Sequence, residues 1–303
     1  MKSFSFKKID AFATSTSGGN PAGTVWLEND GDITQAEMQQ IARELKFFVS
    51  EVGYVFPAGP DSIRLKFYSS EREVNFCGHA TVAILHELCS TDPSFRDRRT
   101  VTVITNDGPL AVENNLEDDG SVFITAPFAR EISPVPGMAE VAESLKIDTD
   151  CIDPQLPLKI INAGLNTLLV PLLDPELVLR TDPELLPLKT FCTNNNIDIV
   201  EIFSRITTDA ANDIRARVFA PTFGYLEDPA TGSGNSALGY YLDGLGLWEG
   251  AGLCIEQNGR REGYNLVRLK RITVGAGGTR VLFGGGGVKR IDGRYYLPDA
   301  VIA

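Results

Sequence analysis

One plan recurs in EVNFCGHAT, residues 73–81, and in EDPATGSGN, residues 227–235: an acidic residue, four further residues, a glycine and a small or polar residue. Each segment leads into apolar residues at helical spacing, over residues 80–89 and 237–245. The two glycines, Gly78 and Gly232, lie 154 residues apart (232 minus 78), about half of the 303-residue chain. An internal repeat of this period predicts two related halves, each with a helix that begins at its glycine.

The first turn of each of these helices would present backbone N–H groups that have no partner within the helix. Such groups, at the positive end of the helix dipole, form an anion site. Two related halves would place both helix starts across one cleft, which would suit a carboxylate. Either segment alone is better interpreted as an ordinary helix cap, but the matched positions favour the paired anion site.

The rest of the chain alternates short strand patterns with single helices, which predicts an α+β fold of barrel-like domains. Thr34 and Glu37 form a capping box that predicts a helix over residues 34–46, after an opening hairpin. A proline cluster at 127–136 predicts a domain boundary, with a first domain over 1–127 and a second over 128–303. The last strands of the second domain are left free to return to the first.

The composition, 43% hydrophobic and 22% charged, is typical of a packed globular protein. The net charge of -12 disfavours nucleic acid and acidic membrane surfaces as partners. No stretch approaches the roughly 18 apolar residues that a membrane-spanning helix needs, and the first residues lack a signal-peptide pattern. The five scattered cysteines fit a reducing compartment, so we expect a cytoplasmic, soluble protein.

Glu51 interrupts the apolar, β-prone run of residues 47–55. Its position alone favours a carboxylate at the exposed edge of a strand. The alternative is deliberate burial, because burial raises the pKa of a carboxylate toward neutrality and suits a group that accepts and returns a proton.

Three further residue types could carry chemistry in the repeated segments. His79 and His86 are seven residues apart, which is too far for direct chelation without other ligands, so we expect no metal site and a neutral His79 that donates or accepts a hydrogen bond. Asp228 fits a plain turn equally well, and only its match to the His79 segment favours a role in the site. Cys77 could serve a two-thiol racemase, but residues 227–235 contain no second cysteine.

The order of these motifs resembles the PhzF (phenazine biosynthesis-like) family along nearly the whole chain. The resemblance is carried by DAF at 10–12, GNPAG at 19–23, SE at 50–51, CGHAT at 77–81 and FGYLEDPATGS at 223–233. It implies a fold like that of diaminopimelate epimerase, with two pseudo-symmetric domains, each a barrel-like sheet wrapped round a central helix. The sequence departs from the family pattern at 68–70, 234–235 and 261–264, which leaves the substrate open.

The resemblance also implies an activity, the cofactor-independent isomerisation of a small carboxylate-bearing metabolite, and a homodimer. The best-known member isomerises trans-2,3-dihydro-3-hydroxyanthranilate by a proton shift. By matching, Glu51 would be the general acid/base, and His79 and Asp228 would orient the substrate and the proton. The substrate site would be lined by Asn20, Ser50, Gly78, Gly232 and Ser233. An amino-acid racemase or epimerase and a non-catalytic carboxylate-binding protein are the alternatives.

Overall fold

The computed structural model describes residues 1–275 and 278–298. The chain forms two compact units, the first from Met1–Ile124 together with the chain from Gly284, and the second from Thr125–Phe283. None of the helices in the described residues is both long and apolar enough to cross a lipid bilayer.

The first unit contains eight consecutive strands and four helices. The strands are β1 (Lys2–Ala11), β2 (Asn20–Trp26), β3 (Glu51–Gly59), β4 (Ser62–Ser69), β5 (Glu73–Val74), β6 (Thr100–Thr105), β7 (Gly108–Asn115) and β8 (Ser121–Thr125). The helices are α1 (Gln35–Glu44), α2 (Gly78–Thr91), α3 (Pro93–Arg96) and α4 (Leu116–Asp119).

The second unit repeats this order. Its strands are β9 (Arg130–Ile132), β10 (Lys159–Asn162), β11 (Asn166–Pro171), β12 (Ile199–Ser204), β13 (Ile214–Phe219), β14 (Glu227–Asp228), β15 (Gly252–Gln257), β16 (Asn265–Val274) and β17 (Gly278–Gly285). Its helices are α5 (Met138–Leu145), α6 (Pro175–Arg180), α7 (Leu185–Asn194) and α8 (Gly232–Gly244). The last strand, β18 (Gly287–Leu297), pairs antiparallel with β1 of the first unit.

Strand pairing is the same in both units. In the first, β1 is antiparallel to β2, β2 is parallel to β3, β3 is antiparallel to β4, and β4 is parallel to β6. In the second, β10, β11, β12, β13 and β15 pair in the same order and directions. The repeat that was predicted from two short segments therefore extends through the sheet of each unit.

One long helix lies at the centre of each unit. Helix α2 packs against β1, β2, β3 and β18, and α8 packs against β10, β11, β12 and β16. All residues of α2 from Ala80 to Leu85 are buried, as expected of a helix that is apolar on every side. The α+β class, with two similar units whose sheets curve round a central helix, is confirmed.

The capping box predicted at Thr34 is also confirmed. The N-cap Thr34 accepts from the backbone N–H of Glu37, and the Glu37 carboxylate accepts from the N–H of Thr34, so the predicted capping box starts α1. Helix α1 ends at Glu44, two residues before the predicted end. Its apolar face packs on β3, where the Tyr54 hydroxyl donates to the carbonyl of Met38 at 2.7 Å.

Candidate active site

Helix α2 begins at Gly78 because the chain changes there from extended to helical geometry. Its N-cap residue Cys77 has extended torsion angles (φ -137°, ψ 109°), and Thr81 returns both its backbone N–H and its hydroxyl to the Cys77 carbonyl. The Cys77 sulfur faces His79, with 3.4 Å between Sγ and Nδ1. The thiol is thus directed to the imidazole, and it does not cap the helix.

Glu51 and His79 are in direct contact at this helix start. The Glu51 Oε2 atom lies 3.2 Å from His79 Nε2, and the two side chains are 23% and 12% exposed. The contact forms because Glu51 is the first residue of β3 and its side chain lies on the face of the sheet that packs against α2. The carboxylate is half-buried, between the two alternatives that the sequence left open.

His79 joins the carboxylate to the thiol. Burial lowers the pKa of His79 to about 4, so the imidazole is neutral at pH 7 and carries a single N–H. With that proton on Nε2, the Nε2–H group faces the Glu51 carboxylate, while Nδ1 can accept from the Cys77 thiol. This tautomer places Cys77, His79 and Glu51 in one series of polar contacts without a formal ion pair.

Asn20 and Ser50, both predicted to line the substrate site, lie beside Glu51. The Ser50 hydroxyl donates to Asn20 Oδ1 at 3.4 Å, and the Ser50 backbone N–H donates to the carbonyl of Pro21 at 3.1 Å. The parallel pairing of β2 with β3, in which Ala22 is opposite Glu51, fixes this arrangement. The first unit therefore brings together Asn20, Ser50, Glu51, Gly78 and His79.

The second unit positions Asp228 just before α8. The hydroxyl of Thr231, the N-cap residue of α8, donates to Asp228 Oδ2 at 2.6 Å. Gln257, at the end of β15, fixes the intervening turn: its side-chain amide donates to the Asp228 carbonyl at 2.9 Å, and its Oε1 accepts from the Thr231 N–H at 3.0 Å. Asn265 adds a hydrogen bond to the carbonyl of Pro229 at 2.7 Å.

Gly232 and Ser233 form the first turn of α8. A Cβ atom on Gly232 would lie 2.3 Å from the ring of Phe283, so only glycine fits this position. Ser233 is half-buried and faces Gly164, which lies in the connection between β10 and β11. A Cβ atom added to Gly164 would lie 3.5 Å from the Ser233 Cβ atom. The roles of Gln257, Asn265 and Gly164 were missed in the sequence, because they lie outside the repeated motif and are linked to it only by sheet pairing.

Strand register shows which positions of the two units correspond. In the first, Glu73 is opposite Tyr68 and Tyr68 is opposite Val52. In the second, Glu227 is opposite Phe219 and Phe219 is opposite Val200. Val52 and Val200 therefore correspond, so the counterpart of Glu51, one residue earlier, is the apolar Ile199. The N-cap residues correspond as Cys77 and Thr231.

By the same correspondence, Gly53 of the first unit occupies the position that Glu201 occupies in the second. Glu201 is fully buried, and neither carboxylate oxygen has a hydrogen-bond partner among the described residues. A Cβ atom added to Gly234 would lie only 2.8 Å from Glu201 Oε2. The glycine in α8 therefore leaves room for this carboxylate. The departure from the family pattern at residue 234 thus has a steric reason in β12.

Glu201 is expected to make folding pH-dependent. Burial raises its pKa to about 8 from 4.5, so the folded protein keeps a proton that the unfolded chain releases above pH 4.5. The retained proton stabilises the folded protein fully below about pH 4.5. Between about pH 4.5 and 8, the free energy of unfolding falls by about 1.4 kcal/mol per pH unit. Urea denaturation from pH 5.5 to 8.5 should show a steeper loss for the wild type than for Glu201→Gln.

The exposed Glu184 supplies the control for that experiment, because Glu184→Gln should keep the wild-type pH dependence. Equal slopes for the wild type and Glu201→Gln would show that Glu201 is already ionised in the folded protein.

The second histidine lies away from this site. His86 packs closely against Gly287, where a Cβ atom would lie 3.3 Å from the imidazole ring, and burial lowers the pKa of His86. The one group of metal-ligating side chains found within the described residues consists of Glu51, Cys77 and His79. A ligand set that includes His86, the alternative weighed from the sequence, does not form in these residues.

Comparison with known proteins agrees with the motifs. The family model described as "Phenazine biosynthesis-like protein" (PhzC-PhzF) matches residues 9–293. The uncharacterized isomerase YfhB of Bacillus subtilis is 31% identical over 260 residues, which cover 85% of this chain and 87% of YfhB.

Two solved structures illustrate the fold. The Bacillus anthracis PhzF-family protein superposes with a TM-score of 0.86 at 22% identity, covering 98% of this chain and 100% of that one. A probable proline racemase from Agrobacterium radiobacter superposes with a TM-score of 0.60 at 14% identity, covering 99% and 94%. The fold is thus shared with racemases, and the sequence match decides the family: the chain belongs to the PhzC-PhzF family of phenazine biosynthesis-like proteins.

Proposed function

We propose that the protein is a cofactor-independent isomerase in which Glu51 moves a proton between two carbon atoms of a small carboxylate-bearing metabolite. The observation that carries this proposal is the contact between Glu51 Oε2 and His79 Nε2 at the start of α2, with Ile199 at the corresponding position of the second unit. One half offers a carboxylate and the other offers an alkyl group, which suits a reaction with a single base.

In this mechanism the Glu51 carboxylate removes a proton from a carbon atom next to an unsaturated or carboxylate-bearing group. The resulting acid, which is 23% exposed and exchanges its proton with solvent, then delivers a proton to another carbon on the same face of the substrate. Neutral His79 orients the carboxylate through its Nε2–H, and it is not a competing acid at pH 7 because burial keeps its pKa near 4. General acid/base help of this kind contributes roughly 10² to 10⁴ in rate.

The helix starts supply the binding side of the proposal. Both N-cap side chains are engaged elsewhere, Cys77 with His79 and Thr231 with Asp228, so neither caps its helix. First-turn N–H groups are therefore available to bind an anionic group at the start of α2, and likewise at the start of α8. Asp228, anchored by Thr231 and Gln257, is proposed to orient polar groups of that substrate.

A racemase with two opposed thiols is the alternative that the shared fold raises. The N-cap position that holds Cys77 in the first unit holds Thr231 in the second, so the second thiol is missing from the matched position. Glutamate chemistry is therefore the better supported hypothesis. Cytoplasmic location, the homodimer and the shared cleft stay predictions.

The test is solvent-deuterium incorporation in D₂O, followed by NMR, with trans-2,3-dihydro-3-hydroxyanthranilate and L-proline as probes. A proton-shift isomerase incorporates deuterium into the first probe at a carbon distant from the one deprotonated, and a racemase exchanges the α-proton of the second. A compound that binds, as seen by thermal shift, without exchange at any carbon would favour the non-catalytic binding protein.

The Cys77→Ser variant separates the two enzyme hypotheses. If Glu51 is the base, the serine hydroxyl can still donate to His79 Nδ1, and turnover should stay within about tenfold of wild type, the loss typical of one neutral hydrogen bond. A racemase would lose roughly 10² to 10⁴ with its thiol base. The measurement is the initial rate of deuterium incorporation, and Cys151→Ser, a half-buried thiol of the second unit, is the matched control.

A further inference from the structure

Glu51, Cys77 and His79 have the composition of a metal site as well as that of a proton relay. One oxygen, one sulfur and one nitrogen atom from these residues all lie within 4.8 Å of one another. Carboxylate, thiolate and imidazole are the ligand types of zinc, and three protein ligands with one open position are typical of a reactive zinc site.

The distances suit a tetrahedral ion. Bonds of about 2.0–2.3 Å separate tetrahedral ligand atoms by roughly 3.3–3.8 Å. His79 Nε2 lies 3.2 Å from Glu51 Oε2 and 4.0 Å from Cys77 Sγ. Because the Cys77 sulfur lies nearer to Nδ1, at 3.4 Å, an ion on Nε2 requires the thiol to turn toward Nε2.

The charges and the access also suit a divalent cation. A thiolate and a carboxylate together carry two negative charges, which the ion would neutralise in a site where His79 is only 12% exposed. Glu51, with 23% of its side chain exposed, provides the entry from solvent.

We propose that Glu51, Cys77 and His79 bind one Zn²⁺ ion, and that the bound ion inhibits the enzyme by withdrawing the Glu51 carboxylate from proton transfer. The inhibition rests on the function proposed above, whereas the binding does not. The thiolate excludes Mg²⁺ and Ca²⁺, which take oxygen ligands.

Titration of the full-length protein with Co²⁺, a spectroscopic substitute for Zn²⁺, tests the binding without any activity assay. One equivalent of Co²⁺ should produce a thiolate-to-cobalt charge-transfer band, and one equivalent of Zn²⁺ should remove it. The Cys77→Ser variant should lose the band, and Cys151→Ser should keep it. A wild type without the band, or a band that persists in Cys77→Ser, would overturn the site.

Zinc affinity, measured by competition with a chromophoric chelator, tests the other two ligands. Glu51→Gln and His79→Gln should each weaken binding by more than the roughly 10- to 100-fold that loss of an outer hydrogen-bond partner costs. Glu51→Gln should still show the cobalt band, because its thiol is intact. Unchanged affinity in either variant would contradict the three-ligand site. If a variant does not fold, the presence or absence of the cobalt band in the wild type decides whether the site exists.

Inhibition is tested separately in the deuterium assay. Zn²⁺ at one equivalent should stop incorporation, EDTA should restore it, and Mg²⁺ should have no effect. Stoichiometric zinc binding with undiminished turnover would refute the inhibition while leaving Glu51 free to be the base. Turnover that depends on Glu51 without any zinc binding would refute the site and keep the proposed function.

Discussion

Glu51→Gln should reduce solvent-deuterium incorporation by roughly 10² to 10⁴, the largest effect on activity that we expect from any single substitution. Glutamine has the shape of glutamate, and its side-chain oxygen can keep the 3.2 Å contact with His79 Nε2. The variant therefore keeps the geometry of the site and loses only the group that can take up a proton. Initial rates by NMR in D₂O measure the loss.

Two controls make this result interpretable. Glu113→Gln changes a half-buried carboxylate on β7 of the same unit, and it should retain the wild-type rate. The thermal midpoints of Glu51→Gln and wild type should also agree, since packing is conserved. Undiminished exchange in a folded Glu51→Gln protein would rule out Glu51 as the proton carrier and return the question to Cys77.

Arg215→Met should lower the free energy of unfolding by about 3–5 kcal/mol, the largest effect on stability that we expect. The side chains of Arg215 and Glu256 are both fully buried, with 3.1 Å between Nη1 and Oε2. Removal of the guanidinium leaves a buried carboxylate without its countercharge. It also leaves the carbonyls of Asn258 and Arg260 without the donor that they share.

Glu256 also organises the connection between β12 and β13. It accepts from the backbone N–H groups of Thr208 and Asp209 at 3.2 and 2.8 Å, and from the Asn212 amide at 3.0 Å. Arg215→Met should therefore loosen this connection as well, and protease cleavage within residues 205–213 should become faster. Urea denaturation followed by circular dichroism measures the global effect.

An exposed ion pair of the same unit provides the comparison. Lys146 and Glu184 are 2.8 Å apart but 54% and 63% exposed, so Lys146→Met should leave the unfolding curve unchanged within experimental error. Addition of Glu256→Gln to Arg215→Met should recover part of the loss, because it removes the stranded charge. Equal stability of Arg215→Met and Lys146→Met would show that the buried pair contributes no more than a surface pair.

Sequence patterns predicted the elements on which the site is built. The capping box at Thr34 and the helix starts at Gly78 and Gly232 are local signals, and each lies where the structure has that element. Local signals succeed here because capping and hydrophobic periodicity act within a few residues. The α+β class followed from their order.

Other features depend on residues distant in sequence. Gln257 fixes the turn before α8 although it is 26 residues from Thr231, and Glu201 on β12 packs against Gly234 of α8. Neither residue has a local pattern that marks it, since an isolated Glu or Gln on a strand is equally compatible with an exposed face. The grouping of His79 with Glu51 and Cys77, rather than with His86, was equally out of reach, because β3 joins Glu51 to α2 only through tertiary packing.

The sequence by itself determined the repeated halves, the helix that begins at each repeated glycine, and the family, because these are written in short motifs and their order. Only the tertiary structure decided that the Glu51 side chain is half-buried and faces α2. Strand register puts its carboxylate on the face toward α2, while Ile199 occupies the corresponding place in the other half. A one-residue shift in register would reverse that face, and no local pattern in the sequence fixes register to that accuracy.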